Sequence, residues 1–297
     1  MVSVRFRLRL SRSSFAAVKL IVTGAAGQLG TDLVRYASDA GDDVVVADRS
    51  TLDITDSVAV RSFVETHRPD AIINAAAYTA VDACESNRAL ARAVNGEAVG
   101  ALRDAADAID AHLVQVSTDY VFDGTLDRPY VEVDTPNPQS VYGSTKLEGE
   151  VLAGDAASVV RTSWVCGEYG NNMVKLILRL AESDAPLAFV DDQRGCPTFT
   201  ADLAPALHRL ASDRHAGTFH LTNAGAVSWY EFVGDILEAA GHRRSRVTPI
   251  GTADLDPPRP APRPANGVLD NAAWRAAGHQ PLRDYREPLA ELVARLT

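Results

Sequence analysis

Apolar and polar positions along the chain fall into two alternating regimes. Continuous apolar runs occupy 18–24 (VKLIVTG), 42–48 (DDVVVAD), 71–77 (AIINAAA) and 111–118 (AHLVQVST), the pattern of strands buried on both faces. Between them the apolar residues recur at helical spacing. Leu29, Leu33, Val34 and Ala37 do so within 28–41, closed by Gly41, and 57–70 and 88–110 read as further helices. Strands alternating with helices of this length predict an α/β fold on a doubly wound parallel sheet. Beyond about residue 160 the pattern loosens: 157–165 and 217–223 read as strands, 228–241 as a helix, and other helices there as short. The run DPPRPAPRP (256–264) excludes helix and central strand, leaving a linker or a loop over a site. The expected division is an N-terminal extension, disordered, over 1–17; a nucleotide-binding domain over 18–165; and a smaller α/β substrate-binding domain, mainly 166–297, with some segments returning to the first sheet.

Composition narrows the function classes. A hydrophobic share of 46% supports a packed core, and no apolar run approaches the ~20 residues that span a bilayer. The net charge of −10 argues against nucleic acid and anionic membranes as partners, since both need clustered Lys and Arg. It leaves room for a local phosphate site built from backbone N–H groups. Cys84, Cys166 and Cys196 are scattered, as expected of thiols in a reducing compartment, which points to a cytoplasmic location. The histidines form no zinc-type pair, so no metal site is expected. Residues 1–17 are rich in Arg and Ser and carry no acid. They lack the apolar core of a secretory signal, and the folded part is expected to begin near Val18.

The chemistry starts in TGAAGQLG, where Gly24, Gly27 and Gly30 join the first strand to the first helix. Glycines there permit a tight turn and a close approach to a pyrophosphate. The helix start, at Gln28 and Leu29, offers free N–H groups, the signature of a Rossmann-type dinucleotide site. Asp48 follows Gly24 by 24 positions, the place of an acid that binds the adenosine ribose of NAD. Arg49 beside it suits a 2′-phosphate, so NADH and NADPH both stay open. Asp53, followed by Ile54, is placed to reach the adenine. Ala75, Ala76, Ala77 and Thr79 supply small residues where the third strand would pass the dinucleotide.

SVYGSTKLEGE (140–150) contains one of only three lysines in the chain, Lys146, four positions after Tyr142. On a helix the two share a face. An isolated Y-x-x-x-K is more often a solvated helix turn, but here it follows a dinucleotide signature. A free tyrosine, with a pKa of about 10, relays protons poorly at neutral pH. A nearby ammonium and an oxidised nicotinamide would lower that value. Thr118 ends the fourth strand, where open α/β sheets hold their ligands.

Together GAAGQLG, NAAAYTAVDACE, STDYVFDG, VYGSTKLEGE, RTSWV and DQRGCPT resemble the extended short-chain dehydrogenase/reductase family from Lys19 onward. Within it they are similar to the branch that reduces the C4 ketone of dTDP-4-dehydro-L-rhamnose to dTDP-L-rhamnose with NADPH or NADH. The resemblance implies Tyr142 as proton donor, Lys146 as its activator and the anchor of the nicotinamide ribose, and Thr118 as hydrogen-bond partner of the sugar oxygen. Asn95 matches a helix asparagine that supports the lysine through water, against the alternative of an ordinary polar helix residue. Trp164 matches a residue contacting the sugar nucleotide, against that of a core tryptophan. Asp119, Gln193 and Arg263 are further candidate substrate contacts. Related dehydratases carry Thr-Asp-Glu where this chain has Thr118-Asp119-Tyr120, and the missing glutamate shifts the reading from elimination to carbonyl reduction. Relatives of this kind can form dimers through a divalent metal such as magnesium. Asp32 falls where one ligand could, but a solvated acid in the first helical turn is the expected state. No metal is predicted, and a homodimer stays open. Two rival readings remain: a reductase or epimerase of another nucleotide sugar, and a non-catalytic NADP-binding regulatory subunit of methionine adenosyltransferase.

Overall fold

A computed structural model describes residues 17–183 and 185–297. The expected extension over 1–17 therefore lies outside the described residues, save for Ala17. Strands β1 (Lys19–Thr23), β2 (Asp43–Ala47), β3 (Ala71–Asn74), β4 (His112–Thr118) and β5 (Ser158–Thr162) run parallel. Short strands β6 (Val165–Cys166), β7 (Leu187–Val190), β8 (Arg194–Gly195) and β9 (Thr198–Phe199) leave this sheet, and β10 (Gly217–His220) returns to it. The six-stranded order is β10-β5-β4-β3-β1-β2. Strand β11 (Val227–Ser228) pairs with β8, and β12 (Val247–Ile250) with β7. This is the doubly wound, Rossmann-type α/β sheet that the alternating pattern predicts.

The helices are α1 (Gln28–Ala40), α2 (Ser57–His67), α3 (Val81–Ser86), α4 (Arg88–Arg92), α5 (Ala98–Asp107), α6 (Val141–Ala153), α7 (Met173–Ala181), α8 (Thr200–Asp213), α9 (Trp229–Ala239), α10 (Ala272–Ala276) and α11 (Arg286–Leu296). Leu20, Val22 and Ile73 face Leu33 of α1 and Leu207 of α8 on one side of the sheet. Ile21 and Ile72 face Val60 of α2 and Leu102 of α5 on the other. A further core joins Ile177 of α7, Phe232 and Ile236 of α9, and Leu289 of α11. Among the described residues no helix is long and apolar enough to cross a membrane.

Several segments differ from the sequence reading, each for a physical reason. The valines of β2 suggest a doubly buried strand, yet β2 is the outermost strand, so the helical layers cover it incompletely. Val44 and Val45 are half-buried and Val46 is exposed. The third strand stops at Asn74, and Ala75 to Ala77 continue as irregular chain. The stretch 88–110 is two α-helices joined by a π-helical turn, Ala93–Glu97. Helix α8, at 14 residues the longest described, was not expected. It contains Pro205, and Leu203, Leu207 and Leu210 form its buried stripe.

The strand order reverses beside β1, which has β2 on one side and β3 on the other. Such a reversal opens a crevice at the carboxyl ends of the strands, and the candidate residues gather there.

Candidate active site

Gly24 leaves β1 with φ +65°, and a Cβ on it would lie 2.7 Å from the backbone of Ala76. Only glycine lets the turn lie against the chain that follows β3. Gly27 is the N-cap of α1, and no side chain bonds the helix end. The first-turn N–H groups, at Gln28, Leu29 and Gly30, therefore have no intrahelical acceptor and present a positive end to the crevice. Gly24 and these donors form a cradle that fits a dinucleotide pyrophosphate. The side chains of Gln28 and Leu29 have other work. Gln28 donates to the Val165 carbonyl at 2.9 Å and accepts from Asn172 at 2.7 Å, and Leu29 is in the core.

At the end of β2, Asp48 Oδ1 accepts from Ser50 N at 2.8 Å, Ser50 Oγ at 2.6 Å and Thr51 N at 3.2 Å. The Ser50 hydroxyl leads these bonds in holding the carboxylate below its ordinary pKa. Arg49 is exposed. Asp53 is held below its ordinary value chiefly by the Thr55 hydroxyl, which it meets at 2.7 Å. Ile54 packs in the core beside it. Ala75, Ala76 and Ala77 are half-buried along the crevice, and Thr79 is exposed. Beneath them is an unpredicted buried chain: Thr23 donates to Asn74 Oδ1 at 2.5 Å, and Asn74 donates to Gln115 Oε1 at 2.6 Å. Its members come from three adjacent strands, and sequence spacing does not link them.

Helix α6 starts at Ser140, whose hydroxyl accepts from Gly143 N at 3.1 Å. A Cβ on Gly143 would meet the Tyr120 carbonyl at 2.1 Å, so this glycine lets α6 approach the turn after β4. That approach brings Tyr142, Lys146 and Thr118 together. All three are buried, and the Thr118 hydroxyl lies beside the Tyr142 phenol. Tyr120 stands edge-on to Tyr142, ring centroids 5.4 Å apart. Thr118 Oγ1 donates to Asp119 Oδ1 at 3.0 Å and accepts from Tyr120 N at 3.2 Å. Burial pushes the Asp119 carboxyl up to about 7.

The expected lowering of the Tyr142 pKa needs both Lys146 and an oxidised nicotinamide beside the phenol; the protein's own groups act as follows. Burial drives the phenol above its ordinary pKa, with Thr118 opposing it. Lys146 Nζ instead donates to the Val116 carbonyl at 2.5 Å. Burial pulls the lysine down to about 8, opposed by Glu150. A phenol kept protonated is a proton donor ready for use, which suits protonation of an alkoxide.

The remaining candidates lie around this centre. Asn95 is in the π-helical turn, buried, and bonds both backbone groups of Tyr78, accepting from N at 2.8 Å and donating to O at 3.1 Å; it also donates to Thr145 at 3.3 Å. It pins the loop after β3 against α6, so it is neither an idle helix residue nor, directly, a partner of the lysine. Trp164 is half-buried, stacked on Trp229 with centroids 3.6 Å apart, and has φ +47°. It is thus not a plain core tryptophan. Such strain is kept where the surroundings over-determine it, often at ligand sites.

Gln193 is buried and donates to Thr252 at 2.8 Å, a tie between two loops. Arg263 makes a bidentate pair with Asp82 of α3, with Nη2 to Oδ2 at 2.6 Å, and lies beside Tyr120. The proline-rich run is therefore a strap tied to α3, not a linker. Asp82 was missed because its partner lies 181 positions away. Asp32 is in the second turn of α1, not the first, and accepts from the Thr200 hydroxyl, so it is not a simply solvated acid. Among the described residues no group of three or more His, Cys, Asp or Glu could hold a metal ion.

A buried phenol and hydroxyl beside a dinucleotide cradle can protonate and orient the oxygen of a carbonyl undergoing hydride reduction. Comparison with known proteins points the same way. A family model described as the RmlD substrate binding domain matches residues 18–297. The chain is 43% identical over 288 residues to the dTDP-4-dehydrorhamnose reductase of Streptomyces griseus, covering 94% of each chain. It is 40% identical over 281 residues to a probable dTDP-4,6-dihydroxy-2-methyloxan-3-one 4-ketoreductase of Streptomyces antibioticus, covering 92% of this chain and 94% of that one. The crystal structure of a dTDP-4-dehydrorhamnose reductase from Bacillus anthracis in complex with NADP superposes with a TM-score of 0.90 at 34% identity, over 94% of this chain and 99% of that one. The chain belongs to the RmlD family.

Proposed function

We propose that this member of the RmlD family is an NAD(P)H-dependent reductase that converts dTDP-4-dehydro-L-rhamnose to dTDP-L-rhamnose. The observation that carries the reading is the convergence of buried Thr118, Tyr142 and Lys146 at the carboxyl end of the sheet, next to the glycine cradle. When bound, the reduced nicotinamide supplies the hydride. The cradle of Gly24, Gly27, Gln28, Leu29 and Gly30 would hold its pyrophosphate. Asp48 and Arg49 would meet the adenosine ribose, Asp53 and Ile54 the adenine, and Ala75, Ala76, Ala77 and Thr79 would line the path between. Lys146 would anchor the nicotinamide ribose.

Thr118 orients the C4 oxygen of the sugar, and Tyr142 donates the proton that the developing alkoxide takes up. An alkoxide is far more basic than a phenolate, so the raised pKa of Tyr142 keeps the proton in place without preventing the transfer. Asp119, Trp164, Gln193 and Arg263 are assigned to the nucleotide sugar. For Gln193 and Arg263 this requires exchange of their present partners, Thr252 and Asp82. In this assignment 18–165 binds the cofactor and 166–297 mainly the sugar nucleotide. The enzyme works in the cytoplasm, and sedimentation tests whether it is a homodimer.

The Streptomyces antibioticus relative favours a second reading, in which the same C4 reduction is performed on another dTDP-keto sugar. The test follows loss of the reduced-nicotinamide absorbance with NADH and NADPH in parallel, with dTDP-4-dehydro-L-rhamnose and related keto sugars. Rapid loss that disappears in Tyr142→Phe supports the reading, and the faster keto sugar fixes the substrate. A folded, cofactor-binding protein that turns over none of them overturns it, and would return attention to the regulatory-subunit role. An epimerase would instead retain tightly bound NAD through purification.

A further inference from the structure

Helix α6 carries a third buried polar residue in line with the two already assigned. Tyr142, Lys146 and Glu150 follow one another at four-residue spacing on one face. Glu150 is bonded side-on by Arg161 of β5, with Nε to Oε1 at 3.0 Å and Nη2 to Oε2 at 2.7 Å. Its Oε1 also accepts from the Ser117 hydroxyl of β4. Ser117 and Arg161 are register partners on adjacent strands, so one carboxylate grips the sheet at two neighbouring points. Arg161 is fixed in turn by the Phe122 ring beneath it, 5.1 Å from its centroid, and by the Glu132 carbonyl at 3.4 Å.

The place of the grip matters. Val116, whose carbonyl receives Lys146, and Thr118, which lies beside the Tyr142 phenol, flank Ser117 directly. Three successive residues of β4 therefore meet three side chains from successive turns of α6. A shift of the helix along the strand would change all three contacts together.

We propose that Glu150, acting through Ser117 and Arg161, is a positioning residue for proton transfer: it fixes where α6 rests along β4, and so the reach of Tyr142 to Thr118 and of Lys146 to Val116. The inference rests on the reductase reading and adds a determinant of its rate. A bidentate guanidinium–carboxylate pair suits the task because its directional bonds tolerate little sliding, unlike an apolar contact.

The test uses the full chain with Ser117→Ala, which cuts the link from Glu150 to β4 but leaves the buried pair intact, so the protein should fold. Expected is a loss of kcat of about 5- to 10²-fold, the scale set by displacements near 1 Å. KM and the Kd for NADPH, read from cofactor fluorescence, should weaken by much less than kcat falls. Ser117→Thr restores the hydroxyl and should restore kcat. Glu150→Gln should lose at least as much kcat as Ser117→Ala. Wild-type kcat in Ser117→Ala overturns the inference. So does an equal loss in Ser117→Thr, or a loss matched by equal weakening of cofactor and substrate binding. Tyr142→Phe separates the two levels. If that variant turns over normally, the reductase mechanism fails; if it is inactive while Ser117→Ala is unimpaired, only the positioning role fails.

Discussion

Helices α6 and α9 are alike in length and start, and opposite in what they bury. Each begins at a serine whose side chain caps the helix, Ser140 for α6 and Ser228 for α9, the latter in a capping box with Glu231. The buried face of α9 is apolar: Phe232, Val233, Ile236 and Leu237. That of α6 holds Tyr142, Thr145, Lys146 and Glu150, with Gly143, Gly149 and Ala153 between them. Burying a Leu, Ile or Phe stabilises by about 1.5–3 kcal/mol and needs no particular partner. Buried charges stabilise nothing unless each is met by a matching group, and on α6 Val116, Ser117 and Arg161 meet them. One helix is held by area, the other by direction, and only the second fixes a phenol closely enough to transfer a proton.

Substitutions break this contrast in a graded way. The largest effect is expected from Tyr142→Phe, which removes the donor: kcat should fall about 10²–10⁴-fold, with the melting temperature and NADPH affinity little changed. Ile236→Ala, on the fully buried face of α9, should do the reverse. It should cost about 2–5 kcal/mol in denaturant unfolding, with kcat per folded molecule preserved. Removing the caps should separate the helices again at a smaller scale. Ser140→Ala and Ser228→Ala should each cost about 1 kcal/mol, but only Ser140→Ala should also lower kcat, because the end it loosens carries Tyr142.

A pH dependence is expected from α6 as well. Burial sets Lys146 at about 8, below its ordinary 10.5. The unfolded chain therefore holds more protons there between those values, and stability rises with pH across that window. The penalty is complete below about pH 8. Melting curves of wild type and Lys146→Met, compared between pH 7 and 10.5, should show the wild type gaining on the variant as pH rises. A constant difference would place the ammonium in a better-solvated setting than this one. The buried apolar face of α9 offers no group that could produce such a trend.

The same contrast explains what could be read in advance. The apolar face of α9 shows in its spacing, as do strands β1, β3 and β4, because burial leaves its mark on consecutive residues. Tyr142 and Lys146 were legible because one helix face brings them together at a fixed interval. Glu150 is in the same stretch, yet nothing local distinguishes it from a solvated acid, since its partners come from β4 and β5. Helix α8 carries Pro205 in its interior, whose cost its buried leucines offset only once α1 is packed against them.

Periodicity and composition by themselves determined the alternating strands and helices, the glycine turn, and the tyrosine–lysine pair, all set by local backbone sterics and by which residues leave water. The tertiary structure alone decided that Arg263 closes on Asp82, that Asn95 pins Tyr78, that Trp164 stacks on Trp229 under backbone strain, and that the Tyr142 phenol is buried beside Thr118. These depend on desolvation and on partners far apart in the chain, which come within reach only when the sheet and its helices assemble.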